Sequence, residues 1–492
     1  MENESADIIA KLKLLFEPQS VAFLGASTNP LKWGHRILAN LVNGGFKGKV
    51  YPVNPNKGKI LGLTVYGSVE GIPEIPDLAV IVVPPLSVVR AVEGCATKGI
   101  KTGVVITAGF AEIGTQGESL QQEIIEAARS GGMRLVGPNS DGIVNSSNKL
   151  YPQMPPIFPH PGPVSIISQS GNVAGTIQRM IVAKGFGCSK SISSGNEADL
   201  HCEDYLEYLA EDPQTKVILS YIEGFKNGLR FFQVAKEVSK KKPIVMLKSG
   251  ETPAGARAAK SHTAALTGSD TVFEAMCKQT GIIRARDLDE LVNIGLTFAH
   301  HPLPQGQRVG IVTAGGGWGV LAADACAKLG LEVVALPPDT IMELDSLLPA
   351  WWNRSNPVDL VAGAFGDAMI KSIEVLMRCP VVDGIIMLEI MPALPQEVFS
   401  SSYVNEEGED HKQKTILMSS LQLFDQLDKL TKRYRKPTIV ASEPPFPNTS
   451  FAAEFIYTLG QNNFVCHSKP HQAAAAFASL AKYNEYLKHE NA

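Results

Sequence analysis

The sequence carries little charge for its length and has no excess of basic residues. Its 492 residues include 45 Lys and Arg against 49 Asp and Glu, a formal net charge of −4, and charged residues make up only 19% of the chain. A basic surface of the kind that binds nucleic acid is therefore not expected. No apolar run reaches the roughly 18 residues of a membrane span, and the acidic N-terminus lacks the features of an export signal. We expect a cytoplasmic protein without a membrane or nucleic-acid partner.

Cysteine is also scarce, and its placement excludes two kinds of site. The seven cysteines are an odd number, widely scattered, with no CxxC pair and no histidine at metal-ligand spacing. This pattern is typical of reduced thiols in a cytoplasmic protein rather than of a disulfide framework or a structural metal centre. We therefore predict no metal site.

Continuous apolar runs alternate with amphipathic stretches of helix length along the whole chain. Runs without polar alternation indicate strands covered on both faces, as in parallel sheets. Alternation of such strands with helices predicts the α/β class. The predicted strands are residues 21–25, 78–83, 103–107, 164–168, 217–223, 244–248, 308–313, 332–336, 384–388 and 438–441.

Two interruptions divide this alternation into three segments. Residues 151–163 (YPQMPPIFPHPGP) contain six prolines, which exclude both a helix and a central strand, and residues 300–307 (HHPLPQGQ) form a short polar linker. The predicted domains are 1–150, 151–303 and 304–492, in line with the roughly three domains that the length suggests. Each opens with a strand, a turn of small residues and a helix, so we predict three doubly wound units.

The first of these turns is a candidate anion site. Backbone N–H groups at a helix N-terminus favour bound anions, and Gly25 and Ser27 stand at this position. The full GxGxxG spacing and the acidic residue about 20 positions later are missing, which argues against a bare dinucleotide. Lys32 follows closely, and Asn54 and Lys57 come after the next strand. These residues suit a ligand with an additional phosphate, although each lysine alone also fits a solvated surface position.

The second turn adds hydroxyl groups to the same arrangement. It consists of Ser168, Gln169, Ser170, Gly171 and Asn172, directly before a helix. A phosphate cradle and an ordinary helix cap both remain open as interpretations.

The third turn has four glycines in the five positions 315–319, around Trp318. So many glycines indicate close backbone approach or positive φ angles. Trp318 either lines a pocket or caps the sheet.

One histidine and one carboxylate form a candidate catalytic pair. His262 stands among small and hydroxyl residues in the stretch AAKSHTAALTG, and Glu223 ends a predicted strand in YIEGF. Open α/β sheets carry their active sites at the carboxyl edge, where both residues are expected. A carboxylate bonded to one ring nitrogen leaves the other as a nucleophile. Together with the Ser-rich turn, which is the second turn above at residues 168–172, the pair indicates a phosphohistidine site. Glu223 alone equally fits a helix cap.

Nine segments together resemble a known family. They are GASTNPLKWG, VYPVNPNKGKILGLTVYGSVEGIP, DLAVIVVPP, TAGFAEIG, VGPNSDGIVN, VSIISQSGNVAG, SSGNEADL, YIEGF and AAKSHTAALTG. From residue 21 to about 296 the chain is similar to α subunits of the nucleoside-diphosphate-forming acyl-CoA synthetases, which are related to the α subunit of succinyl-CoA synthetase. The third segment, with VTAGGGWGVLAADAC, resembles the additional domain of the acetyl-CoA type.

The resemblance implies a fold and a distribution of roles. It implies a Rossmann-like CoA-binding domain followed by two flavodoxin-like domains, with CoA contacts at the residues singled out in the first domain. His262 would be the phosphorylated histidine, Glu223 its stabilising carboxylate, the Ser-rich turn the phosphate cradle, and Asn196 a neighbour of the acyl and phosphate site.

The resemblance also implies the reaction and its partners. The enzyme would interconvert acyl-CoA, phosphate and ADP with a carboxylic acid, CoA and ATP, through an acyl phosphate and a phosphohistidine. No ATP-grasp segment is identifiable after residue 300, so ADP or ATP with Mg²⁺ would bind a separate ATP-grasp β subunit in a hetero-oligomer.

The sequence departs from the family pattern at three positions, and two other functions are alternatives. Ala264, Ser140 and Trp318 stand where the family commonly has Gly, Cys and Pro. Trp318 together with Trp351 and Trp352 favours an acyl group larger than acetate, for example an aromatic one. A non-catalytic CoA-binding regulator is the main alternative, and an NAD-dependent dehydrogenase is disfavoured by the missing ribose-binding acid.

Overall fold

The structure, a computed structural model, describes residues 2–255, 257, 269–361, 366–389, 406–444 and 450–490. It contains two compact units, of which one comprises Met1–Val182 and Gly187–Leu291 and the other Ala183–Phe186 and Val292–Ala492. Within the described residues, two large sheets lie in the first unit and one in the second. The predicted α/β class with three doubly wound sheets is confirmed, while the domain boundaries at 150 and 303 stay predictions.

The first large sheet is parallel throughout and has the order β2-β1-β5-β6-β7. Its elements and the small β3-β4 hairpin are α1 Glu2–Phe16, β1 Ser20–Leu24, α2 Trp33–Asn43, β2 Lys49–Val53, β3 Gly58–Ile60, β4 Leu63–Val65, β5 Leu78–Ile81, α3 Val88–Lys98, β6 Thr102–Val105, α4 Thr115–Ser130 and β7 Arg134–Val136. All five residues of β1 are buried, as expected for a strand covered on both faces. The strand order reverses between β1 and β5, which creates a crevice at their carboxyl ends.

The second large sheet has the order β13-β12-β11-β9-β10-β8. Its elements are β8 Gly142–Asn145, β9 Pro161–Ser168, α5 Gly171–Ala183, β10 Cys188–Ser193, α6 Cys202–Glu211, β11 Val217–Ile222, α7 Gly228–Lys241, β12 Ile244–Lys248, α8 Asp270–Thr280 and β13 Ile283–Arg284. Strand β8 alone among them pairs antiparallel, with β10. Because β8 precedes residue 150, the chain of the first predicted domain contributes a strand to the second sheet.

The second unit contains the third large sheet, ordered β15-β14-β17-β18-β19, with β16 paired to β14. Its elements are α9 Leu288–His300, β14 Arg308–Thr313, α10 Gly316–Lys328, β15 Glu332–Val333, α11 Pro338–Asp345, β16 Val358–Asp359, α12 Asp367–Arg378, β17 Gly384–Leu388, α13 Glu406–Tyr434, β18 Thr438–Ala441, α14 Ser450–Gln461, β19 Cys466–His467 and α15 Pro470–Glu490. The charged stretch 406–414 begins the long helix α13.

The cysteines agree with the expectation of reduced thiols. All seven cysteines are free thiols, and six of them are buried. In the described part of the chain, the helices lack the combination of length and apolar character that crossing a membrane requires.

A buried carboxylate ties the first two sheets together within the first unit. The side chain of Asp199 is fully buried and forms ion pairs with Arg129 and Arg134, each at 2.9 Å. It also accepts a hydrogen bond from the backbone N–H of Leu135 at 2.9 Å. Arg134 and Leu135 belong to β7 of the first sheet, while Asp199 follows β10 of the second. A single side chain therefore joins the edge of one sheet to the turn of the other.

Replacing this carboxylate should weaken the first unit. We expect Asp199→Ala to lower the free energy of unfolding by about 3 kcal/mol, because the nearly buried Arg134 then lacks its counter-charge. Urea unfolding measures the change. The control is Asp7→Ala, which removes an exposed partner of Lys11 and should cost less than about 0.5 kcal/mol. Equal effects of the two substitutions would contradict the bridging role of Asp199.

Candidate active site

Three turns meet at the carboxyl edge of the second sheet. Strands β9, β10 and β11 are parallel neighbours, so the residues that follow them emerge at the same edge. The Ser-rich turn, residues 168–172, follows β9, and residues 194–197 follow β10. Glu223 and Gly224, called the Glu223 turn below, follow β11. The tertiary structure thus brings together all the second-domain residues that the sequence singled out, apart from His262, which lies outside the described residues.

The amide of Gln169 joins two of these turns. Its Oε1 accepts hydrogen bonds from the backbone N–H of Glu223 at 2.6 Å and of Gly224 at 3.1 Å. Its Nε2 donates to the carbonyl oxygen of Gly224 at 2.8 Å and to Oε2 of Glu197 at 3.0 Å. The sequence predicted Gln169 as part of a phosphate cradle. Its side chain holds the Glu223 turn, and its backbone N–H donates to the carbonyl oxygen of Tyr221 at 3.2 Å. The role of Gln169 in a phosphate cradle stays a prediction.

The two serines of the Ser-rich turn shape the start of α5. Ser168 is fully buried, and its hydroxyl donates to the carbonyl oxygen of Ser170 at 2.6 Å. The Ser170 hydroxyl accepts a long hydrogen bond of 3.5 Å from the backbone N–H of Val173, which is the geometry of a weak helix cap. The side chain of Asn172 is exposed in the first turn. The first N–H groups of a helix have no partner inside it and form its positive end, so the weak cap does not exclude the anion site that the sequence predicts here.

A second carboxylate, missed by the sequence analysis, packs against the same helix start. A Cβ atom built on Gly171 would lie 2.1 Å from Cγ of Asp141, so a side chain at position 171 would require the Asp141 carboxylate to move. Burial raises the pKa of the Asp141 carboxyl group. Asp141 belongs to the motif VGPNSDG, and its position after a small-residue turn was the only signal in the sequence.

Glu197 is the other buried carboxylate that sequence reasoning missed. Its side chain is 2% exposed, and its backbone has a φ of +49°, a left-handed conformation that is rare for residues other than glycine. Its Oε1 accepts a hydrogen bond of 2.8 Å from the hydroxyl of Ser194. Burial raises the pKa of Glu197 to about 7 against an ordinary value of 4.5. A glutamate inside SSGNEADL looks like a surface residue in the sequence because the groups that bury it come from other strands.

Asn196 links the site to the first sheet. Its Nδ2 donates to Oε2 of Glu112 at 2.5 Å and to Oε1 of Gln121 at 3.0 Å. Its Oδ1 accepts from Nδ2 of Asn139 at 3.2 Å. Glu112 in turn accepts from the backbone N–H of Gly109 at 2.5 Å. The motifs TAGFAEIG, VGPNSDG and SSGNEADL are therefore one hydrogen-bonded set.

Glu223 itself is 4% exposed and follows β11 directly. Burial raises the pKa of the Tyr221 hydroxyl group. The hydrogen bond with the Ser249 side chain lowers this pKa and the charge of Glu223 raises it, so that the overall shift is upward. Ser249 donates its backbone N–H to the carbonyl oxygen of Ile222 at 3.0 Å. The Glu223 turn thus lies beside the end of β12, from which the chain continues towards His262.

The residues predicted for the first domain meet at the carboxyl ends of β1 and β2. Gly25 has a φ of +90°, and a Cβ there would lie 2.4 Å from the carbonyl oxygen of Val82, next to the crevice between β1 and β5. Asn54 donates its Nδ2 to the carbonyl oxygen of Ala26 at 2.7 Å. The hydroxyl of Ser27 accepts from the backbone N–H of Asn29 at 3.1 Å. The structure brings these three predicted residues together around the first turn.

The two predicted lysines lie on the surface. Lys32 is the exposed residue immediately before α2, and Lys57 is exposed between β2 and β3. Both stand on turns at the same edge of the first sheet as Gly25. Their long side chains leave them free to reach a phosphate at that edge.

Close packing accounts for two glycines of the glycine-rich turn in the second unit. Gly315, Gly316, Gly317 and Gly319 are all described, and none of the four has a positive φ. A Cβ on Gly315 would lie 2.8 Å from Oε2 of Glu389, and one on Gly319 would lie 3.1 Å from Cγ2 of Thr313. Of the two reasons that the sequence allowed, close approach therefore applies at Gly315 and Gly319, whereas nothing lies within 4 Å of a Cβ built on Gly317.

The tryptophans of the second unit have three different environments. Trp318 lines a cavity of about 430 Å³ together with Leu321 and Lys469, so it lines a pocket rather than capping the sheet. Trp352 is 2% exposed and donates its Nε1 to Asp345 at 2.7 Å, whereas Trp351 is 76% exposed. Trp352 is a core residue, and its presence carries no information about the acyl group.

The packing of Asp141 on Gly171 predicts a position at which a side chain is destabilising. We expect Gly171→Ala to lower the free energy of unfolding by about 1–3 kcal/mol, because the methyl group displaces the carboxylate or the helix start. The matched control is Gly228→Ala at the start of α7, where nothing lies within 4 Å of the new Cβ. That change should be neutral or slightly stabilising. Urea unfolding of both variants checks the difference, and similar losses would count against the close contact.

The raised pKa of Glu197 predicts a pH-dependent stability. The folded chain keeps a proton on this carboxyl up to about pH 7, while the unfolded chain loses it near the ordinary value of 4.5. The free energy of unfolding should therefore fall as the pH rises from 4.5 through 7, by roughly 3 kcal/mol in total.

Glu197→Gln should remove this dependence and be more stable than the wild type above pH 7. Urea unfolding at pH 5, 6 and 8 measures how the free energy of unfolding changes with pH. The control is Glu118→Gln at an exposed position, which should keep the pH dependence of the wild type. A wild-type slope in Glu197→Gln would refute the assignment.

Parts of all three large sheets match known protein families. Three family models match: CoA binding domain over residues 19–146, Succinyl-CoA ligase like flavodoxin domain over residues 161–298, and Ligase-CoA domain over residues 309–411. The first two cover the first and second sheets, and the third covers the start of the second unit.

Full-length relatives and a solved structure extend the similarity over almost the whole chain. The ADP-forming acetate–CoA ligase I subunit alpha of Pyrococcus furiosus is 36% identical over 97% of this chain and 99% of its own length. The ADP-forming acetate–CoA ligase of Methanocaldococcus jannaschii is 44% identical over 72% of this chain, which spans only 50% of that relative. The dinucleotide forming acetyl-coenzyme A synthetase 1 of Ca. Korarchaeum cryptofilum, solved in complex with phosphate and ADP, superposes with a TM-score of 0.84, at 33% identity over 98% of this chain and 99% of that one. The chain belongs to the family of ADP-forming acyl-CoA ligases.

Proposed function

We propose that the chain is the catalytic α subunit of an ADP-forming acyl-CoA synthetase. It interconverts acyl-CoA, phosphate and ADP with a carboxylic acid, CoA and ATP, through an acyl phosphate and a phosphohistidine at His262. The observation that carries the proposal is the convergence of the Ser-rich turn and Glu223 on neighbouring strands, inside the segment that matches the succinyl-CoA ligase family. Family membership and the match to a CoA-binding domain support the use of CoA and of ADP or ATP.

The second sheet supplies the groups that phosphoryl transfer needs. The N-terminal N–H groups of α5 face the edge where the phosphate is expected, and a helix N-terminus stabilises anions. Glu223, nearly buried beside this edge, would accept a hydrogen bond from one ring nitrogen of His262, so that the other nitrogen carries the lone pair. Positioning and anion stabilisation account for most of the catalysis in phosphoryl transfer.

CoA is proposed to bind at the crevice of the first sheet. The strand order reverses between β1 and β5, which is where ligands bind in open α/β sheets. Gly25, Ser27 and Asn54 lie on the turns at this edge of the sheet. Lys32 and Lys57 would contact the phosphates of CoA. Exposed apolar side chains on the turns after the same two strands, Leu31 at 77% and Leu86 at 86% exposure, offer contacts for the non-charged parts of the ligand.

The reaction is proposed to proceed in three transfers. A phosphate oxygen attacks the thioester carbonyl carbon of acyl-CoA, the C–S bond breaks, and the phosphate proton passes to the departing thiolate. The free nitrogen of His262 then attacks the phosphorus of the acyl phosphate and releases the carboxylate. Finally, an ADP oxygen takes the phosphoryl group from the histidine to give ATP. Each step is reversible.

The last transfer is proposed to involve a separate ATP-grasp β subunit that binds the nucleotide with Mg²⁺. The Pyrococcus relative that this chain spans almost completely is named an alpha subunit, whereas the match to the Methanocaldococcus relative, whose name mentions no subunit, covers only 50% of that relative's length. In the described part of this chain, no group of three or more His, Cys, Asp or Glu side chains could hold a metal ion.

Phosphorylation of the full-length chain tests the proposal directly. Incubation with acyl-CoA and radiolabelled phosphate should give an acid-labile, base-stable phosphoprotein, as expected for a P–N bond. We expect His262→Ala to abolish the label and Glu223→Gln to slow labelling at least about tenfold, since the imidazole loses its orienting carboxylate.

The control for this labelling is His160→Ala, which removes an exposed histidine of the same unit and should label like the wild type. If His262→Ala also labels like the wild type, the catalytic assignment is wrong.

A further inference from the structure

Three properties of Glu197 argue against a simple packing role. It is a carboxylate that is 98% removed from solvent, its backbone is left-handed, and burial raises its pKa to about 7. Each of these features disfavours the folded state unless surrounding contacts require the residue. Strain of this kind is found where a side chain is needed in one orientation.

The contacts of Glu197 lead directly to the Glu223 turn. Oε2 of Glu197 lies 3.0 Å from Nε2 of Gln169, and Oε1 of the same Gln169 receives the two backbone N–H groups of the Glu223 turn. Oε1 of Glu197 is in turn held by the Ser194 hydroxyl. The Ser194 backbone N–H donates to the carbonyl oxygen of Ser168 at 2.8 Å. Glu197 is therefore anchored to the end of β9 and acts on the end of β11.

A carboxylate at this position determines which way the Gln169 amide faces. A side-chain amide has a donor end and an acceptor end of nearly the same shape. The donor end faces two acceptors, Oε2 of Glu197 and the carbonyl oxygen of Gly224, while the acceptor end faces two donors. Rotating the amide by 180° would set donor against donor at the Glu223 turn. Glu197 supplies one of the two acceptors that exclude this rotation.

We infer that Glu197 is a positioning residue that orients Gln169 and thereby holds the backbone of the Glu223 turn in place for the proposed reaction. The inference rests on the proposed function for its catalytic consequence, whereas its structural consequence is independent of it. The charged groups that act on Glu197 are His201, whose charge favours the ionised form, and Glu203, whose charge disfavours it. The groups in direct contact, Gln169 and Ser194, are neutral.

Hydrogen exchange of the full-length chain tests the structural part. The amides of Glu223 and Gly224 are protected by Oε1 of Gln169. Glu197→Ala should raise their exchange about tenfold in a peptide that spans residues 220–228, because the bond to a freely rotating amide is weakened. Glu197→Gln should restore the protection, since its carbonyl oxygen can accept from Gln169. The matched control is Glu203→Ala, which removes an equally buried carboxylate that has no contact with Gln169 and should leave this exchange unchanged.

Labelling by acyl-CoA and radiolabelled phosphate tests the catalytic part. Glu197→Ala should lower the rate constant of labelling about tenfold with the acyl-CoA concentration at half-maximal rate unchanged, and Glu197→Gln should stay within about threefold of the wild type. The single variant Glu223→Gln and the double variant that combines Glu223→Gln with Glu197→Ala should label at the same rate. This is expected because both substitutions act through Glu223. If Glu197→Ala does not fold, Glu197→Asp, which withdraws the carboxylate by one methylene, takes its place.

The outcomes separate this inference from the proposed function. A folded Glu197→Ala with unchanged exchange at the Glu223 turn overturns the inference, as does equal deprotection in Glu203→Ala. Increased exchange with an unchanged labelling rate also overturns it, because the turn would then not limit the reaction. A wild-type chain that takes up no label refutes the proposed function instead, and the exchange data alone then decide whether Glu197 orients Gln169.

Discussion

The hydrogen bonds of Gln169 are the interaction on which the candidate active site depends. Parallel pairing aligns β9 with β11 but ends where the strands end, and the chain beyond them needs other partners for its backbone groups. The Gln169 amide supplies these partners for both N–H groups of the Glu223 turn and for the carbonyl oxygen of Gly224. The Ser-rich turn and the Glu223 turn are thereby held in one arrangement, in which neither can shift without the loss of buried hydrogen bonds.

The same constraint extends outward to the first sheet. Buried polar groups must satisfy one another, and those around the site do so across three turns and two sheets. Glu197 contacts Gln169, and the adjacent Asn196 contacts Glu112 from the turn after β6. Two residues after Glu197, Asp199 forms ion pairs with Arg129 of α4 and Arg134 of β7. A short segment after β10 therefore connects the edge proposed for the phosphate with the sheet proposed for CoA.

The regular elements were largely predictable, and the exceptions have physical reasons. Apolar runs identified strands such as Ile244–Lys248, Arg308–Thr313 and Thr438–Ala441 with the bounds that the structure has, because residues buried on both faces are mostly apolar. The helix Glu2–Phe16, the antiparallel β8 and the strands β7 and β10 were missed, and β10 (CSKSIS) is fully buried although it is mostly polar. The first precedes the segments that resemble the family, and the pairing of β8 with a strand more than 40 residues away has no local signature.

By itself the sequence determined the α/β class, the family and the positions of the turns, because these depend on local patterns of apolar, small and hydroxyl residues. Tertiary structure alone decided how the polar side chains at those turns are used. It engages Gln169 and Asn196 in internal hydrogen bonds, places Asp141 against Gly171, and raises the pKa of Glu197 to about 7. Burial and hydrogen bonding of a side chain depend on residues that are distant in the chain, and these meet only when the sheets assemble.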